Sequence, residues 1–169
     1  MKAAGVILAV ALALASQTTL GRFLTRGPAA VDLVLVAVVY VALSSGPVTG
    51  LFAGTFAGLV QDALTTGIIG IGGLAKTIVG FLAGIIGTQF IVTQPIPRFV
   101  VFFAASVLHA VIFMGLYALL DLRHFGTPYA AVAGQGLANA VVGVLVFQLV
   151  ELLPGAVDRR SGAGSRFRR

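Results

Sequence analysis

The chain has 169 residues, of which 59% are hydrophobic and 9% charged, and its mean hydropathy is +1.08. Soluble domains carry about 25% charged residues, so this composition excludes a water-facing globule and calls for one compact domain with lipid as its solvent. There are no cysteines, which excludes disulfides, thiolate metal sites and cysteine nucleophiles. Net charge is +6, but five of the eleven basic residues fall in the last eleven positions, so the excess marks a tail and no nucleic acid is expected as a partner.

A helix crosses the hydrocarbon core with about 20 mostly apolar residues, and six such spans are predicted. They run from about Ala3 to Leu20, Ala29 to Leu43, Val48 to Leu64, Leu74 to Thr93, Phe99 to Leu120 and Tyr129 to Leu153. Ser44-Ser45-Gly46-Pro47 closes the second, Gln94-Pro95-Ile96-Pro97 stops the fourth, and the segment from Asp121 to Pro128 separates the fifth from the sixth. Pro154 and Gly155 are expected to end the last helix, since proline lacks an N–H. The fold class is therefore an all-α integral membrane protein. A six-helix bundle would occupy residues 1–153 and a basic cytoplasmic tail residues 154–169. Every backbone polar group must be paired within lipid, and the alternating pattern of a transmembrane barrel is absent.

An even number of spans puts both termini on one side. That side holds Lys2, Arg98, Arg159, Arg160, Arg166, Arg168 and Arg169, against Arg22, Arg26, Arg123 and Lys76 on or near the other. The bias places both termini in the cytoplasm. A competing reading makes the first span a signal peptide, with Ala13-Leu14-Ala15 as the small-residue cleavage site before Ser16. The span is expected to be retained.

The third and fourth spans carry two glycine rows. Gly50, Gly54, Gly58 and Asp62 are spaced by four, as are Lys76, Gly80 and Gly84. Residues four apart lie near one helix face, and glycine lets membrane helices approach closely. A hairpin through the loop from Thr65 to Gly73 would align Asp62 with Lys76, Gly58 with Gly80, Gly54 with Gly84 and Gly50 with Thr88. The alternative is that both charges reach separately for the interface. Gly70-Ile71-Gly72 in that loop is no nucleotide-binding signature, because it follows a membrane helix and lacks the full spacing.

Four further polar residues stand in the later spans or beside Asp62. His109, Gln135 and Asn139 are candidates for interhelical polar contacts, and Gln135 and Asn139, four apart, share a face. A proton relay at His109 and a ligand pocket at Gln135 and Asn139 are the sharper alternatives. Gln61 is placed to bond a neighbouring helix, and Asp32 suits a helix N-terminus. No catalytic set, cofactor motif or metal cluster is evident, so no enzyme activity is expected.

Three stretches resemble the family of the rod shape-determining membrane protein MreD. They are Ser16-Gln17-Thr18-Thr19-Leu20, Val31-Asp32-Leu33-Val34-Leu35, and the run from Gly50 through Gln61-Asp62 to Gly70-Ile71-Gly72-Gly73-Leu74. The resemblance covers about the first half of the chain. It implies a non-catalytic scaffold and regulator in the bacterial cytoplasmic membrane. Its partner would be an MreC-like bitopic protein, and it would link actin-like MreB filaments to the synthases that build peptidoglycan during elongation. A homo-oligomer is compatible with the sequence. The alternative is a small vitamin-binding subunit of an energy-coupling transporter, which also has six helices. Few converging polar or aromatic side chains favour that reading.

Overall fold

The computed structural model describes residues 3–24, 30–65, 68–90, 94–122, 126 and 129–164, the backbone alone at 3–4, 20–24 and 153–164. Six helices follow in order: α1 (Ala3–Leu24), α2 (Leu33–Ser45), α3 (Pro47–Leu64), α4 (Ile71–Gln89), α5 (Pro95–Leu119) and α6 (Tyr129–Gly164). The described residues include no strand. Among them, α4, α5 and the Tyr129–Leu152 part of α6 are long and apolar enough to cross a membrane, while Gly5–Thr19 and Leu33–Ser45 are apolar but shorter. Lys2, Arg26, Arg123, Arg166, Arg168 and Arg169, on which the charge count partly rests, lie outside the described residues. So do the side chains of Arg22, Arg159 and Arg160.

Several helix ends differ from the sequence expectation; α1 runs on to Leu24 instead of Leu20, and α2 starts at Leu33 instead of Ala29. α4 ends at Gln89, before the prolines expected to stop it, and Pro95 and Pro97 occupy the first turn of α5. There the missing proline N–H is one that has no intrahelical partner anyway. α4 begins at Ile71, so it takes up three residues expected in the loop, and Gly70 precedes it at φ +107°, a backbone setting suited to glycine. α6 continues past Pro154 and Gly155 to Gly164. Proline removes one backbone hydrogen bond, and the turns on either side keep helical geometry.

α2 is the centre of the bundle and packs against each of the other five helices. It is apolar on all sides, as a helix enclosed by protein must be. Val34, Val38, Val41 and Ala42 are fully buried. One core joins Leu35, Val36, Val39 and Ala42 to Val79, Ala83, Phe102, Ala105 and Ala140. A second joins Val34, Val38 and Val41 to Val10 and Leu14 of α1 and to Ala53 and Ala57 of α3. The outer surface carries Leu8, Phe52, Phe56, Leu145 and Leu149, all exposed and all suited to hydrocarbon.

The glycine rows do join α3 to α4, in a different register from the one the sequence suggested. A Cβ at Gly50 would overlap the Gly80 carbonyl oxygen, and one at Gly80 the Gly50 carbonyl oxygen. A Cβ at Gly54 would strike the Lys76 carbonyl, and one at Gly58 the Gly73 Cα. Gly50 thus faces Gly80 instead of Thr88, a slip of eight positions (88 − 80), or about two turns. Gly84 packs on Pro47, at the start of α3, and Gly87 on the Leu43 backbone of α2. Across the same seam the Thr55 and Thr77 hydroxyls meet at 2.8 Å. One donates to the other, which in turn donates to its own i−4 carbonyl.

Candidate functional site

The register follows from the chemistry of Asp62. Its Oδ2 accepts hydrogen bonds from the N–H groups of Gly70, at 2.9 Å, and Gly73, at 3.0 Å. These belong to the start of α4, where N–H groups lack intrahelical partners and the helix dipole is positive. The last turn of α3 therefore caps the first turn of α4. Gly72 admits the carboxylate, since a Cβ there would overlap Asp62 Oδ1.

The expected Asp62–Lys76 contact is not formed. With Asp62 engaged by the helix start, Lys76 pairs with α2 and α5 instead. Its Nζ donates to Asp32 Oδ2 at 2.9 Å and to His109 Nε2 at 3.2 Å. Because the ammonium donates, Nε2 is the acceptor and the imidazole is neutral. Lys76 is 3% exposed and Asp32 7%, so this is a buried ion pair. Removing one partner of such a pair typically costs about 3–5 kcal/mol, because the other charge is left without compensation.

Asp32 has three tasks. Its Oδ1 accepts from the Leu35 N–H at 2.9 Å and caps α2, its Oδ2 holds Lys76, and its own N–H donates to Asn139 Oδ1 at 2.9 Å. Asn139, fully buried, also donates through Nδ2 to Ser106 Oγ at 3.0 Å, and Ser106 donates to the Phe102 carbonyl. Gln17 of α1 completes the α2 entry: its Nε2 donates to the Val31 carbonyl at 3.2 Å and its Oε1 accepts from Leu33 N–H at 2.9 Å. One connected network thus ties α2, α4, α5 and α6 together, and α1 grips the same turn.

Beside the network lies a cavity of about 390 Å³. It runs from Asp32, Lys76 and His109 to Thr65, Ile68 and Tyr117, and Gln61 and Gln135 line it. The Gln61 Oε1 atom is buried and has no hydrogen-bond partner among the described residues. His109, Phe113 and Tyr117 rise along one face of α5, with ring centroids 5.9 Å and 4.8 Å apart in succession.

The structure therefore gathers Gln61, Asp62, Lys76, His109 and Gln135 at one cavity and places Asn139 in the network behind it. It leaves Gly50, Gly54, Gly58, Gly80 and Gly84 on the packing seams. Sequence reasoning placed Asp32 at a helix start but missed its pairing with Lys76. The available signal was position: Asp32 precedes α2 and Lys76 lies in the second turn of α4, and both helices begin at the same end of the bundle. Ser106 and the Thr55–Thr77 contact had no signal, since lone hydroxyls in apolar helices usually bond their own backbone. At the other end, Arg98 is buried, forms a bidentate pair with Glu151 of α6 and lies 4.4 Å from the Phe147 ring centre.

The family model described as rod shape-determining protein MreD matches residues 2–155. The match extends the resemblance beyond the first half of the chain, to the end of the apolar part of α6. No curated protein and no solved structure matched.

Proposed function

Because this chain belongs to the MreD family of rod shape-determining proteins, we propose that it is a non-catalytic scaffold and regulator of the bacterial elongation machinery. The family match over residues 2–155 is the observation that carries this reading. The protein acts in the cytoplasmic membrane as a six-helix transmembrane domain, residues 1–153, with both termini and a basic tail, 154–169, in the cytoplasm. At 13 residues α2 is short for a span. It is enclosed by the other helices, and Gln17, Asp32 and Asn139 satisfy its entry, so irregular backbone at that depth is covered by protein instead of lipid.

In this reading an MreC-like bitopic protein is the direct partner. Through it the chain links MreB filaments to the peptidoglycan synthases, and it self-associates where the assembly requires. The buried network supports a scaffold role, because it fixes four helices relative to one another. Affinity purification of the full chain from membranes, followed by mass spectrometry, tests the proposal. An MreC-like bitopic protein should co-purify. Recovery without that partner or any cell-wall-synthesis protein would count against it.

A further inference from the structure

We propose that the cavity between α3, α4, α5 and α6 is a binding site for a small organic ammonium group. Its volume of about 390 Å³ falls within the ~300–1,000 Å³ of small-molecule sites. Three features of the lining define the ligand chemistry.

The first is charge. Asp32, Asp62 and Lys76 line the cavity, two acidic residues against one basic one. His109 is neutral, as the acceptor of the Lys76 hydrogen bond. The lining has one carboxylate in formal excess, which the N-termini of α2 and α4 reduce where Asp32 and Asp62 cap them. The second is Gln61, whose buried Oε1 lacks a donor among the described residues. A buried acceptor without a partner is costly, and a ligand N–H would satisfy it. The third is the aromatic wall of Phe113 and Tyr117, which follows His109 at four-residue spacing along α5. Ring faces attract cations, most strongly where water is excluded. An anion would meet the excess carboxylate and bring no N–H to Gln61, and a hydrocarbon would likewise leave Gln61 unsatisfied. An ammonium group meets all three conditions. It could be a free amine or the amino headgroup of a lipid, since both offer the same charge and donors.

The test uses the purified full chain in detergent and follows its thermal midpoint with benzylammonium, benzyl alcohol or benzoate. Benzylammonium raises the midpoint saturably, and the neutral and anionic analogues do not. Gln61→Leu removes the unpartnered carbonyl, so its midpoint without ligand equals or exceeds that of the wild type while the benzylammonium shift is lost. Gln61→Glu adds a carboxylate and binds benzylammonium several-fold more tightly, which provides a second arm should the leucine variant misfold. Nanodiscs distinguish the source. Weaker probe binding in phosphatidylethanolamine than in phosphatidylcholine, which has the same net charge but no N–H to offer Gln61, identifies a lipid amine, and equal binding identifies a free one. Equal shifts from benzyl alcohol and benzylammonium, or a full shift retained in Gln61→Leu, would overturn the proposal. These outcomes are independent of the cell-shape reading, which rests on the family match.

Discussion

Lys76 and Asp62 show how one residue's first choice of partner fixes another's. Asp62 satisfies two N–H groups at the start of α4, and Lys76 is then free to bridge α2 and α5 through Asp32 and His109. The spacing of the two charges was legible in the sequence. Their pairing was not, because equal spacing on two helices leaves the register open by whole turns. Two predictions belong to this scale. Lys76→Met should destabilise the protein by about 3–5 kcal/mol by stranding Asp32, and Asp32→Asn added to it should restore most of the loss, since asparagine keeps the α2 cap. Thermal midpoints of the single and double variants in detergent check this; a double variant no better than Lys76→Met would contradict it. Asp62→Ala should cost about 1 kcal/mol through the lost α4 cap. The charge swap Asp62→Lys with Lys76→Asp should rescue nothing relative to its single variants. Rescue by the swap would mean that the two side chains do meet.

Helices are where the sequence was most readable. Six apolar runs became six helices, because run length and the flanking glycines and prolines act locally. The glycine rows correctly identified α3 and α4 as close neighbours. The eight-residue slip in their register came from a longer-range effect, the demand of the α4 start for an acceptor. Close approach at the seam makes alanine a severe test. Gly50→Ala and Gly80→Ala should each lower the yield of folded protein sharply, because the new methyl overlaps a carbonyl oxygen of the facing helix. Gly115→Ala has open space around it and should be neutral or stabilising by up to about 1 kcal/mol. Size-exclusion profiles of the detergent-solubilised variants distinguish the two classes, and equal behaviour of all three would contradict the seam. α1 is integral to the same core: Val10 and Leu14 are buried against α2 and α3, and Gln17 holds the α2 entry. Intact mass of the purified protein should therefore include α1, whereas a chain beginning at Ser16 would contradict its structural role.

For the whole molecule, the central feature is an apolar helix enclosed by five others and tied to four of them by a few polar groups at one end. That arrangement presents an exterior largely suited to hydrocarbon around a close-packed interior. Composition alone announced the lipid solvent, and three short stretches carried the family resemblance, which the match over residues 2–155 extends. The polar cluster was only half visible, since burial and pairing depend on how helices distant in sequence face one another. The most direct measurement of the proposed role in cell shape is the length-to-width ratio of rod-shaped cells depleted of this protein. Depleted cells should widen and round up, and re-expression of the full chain should restore rods. An unchanged ratio through several generations of depletion would contradict it.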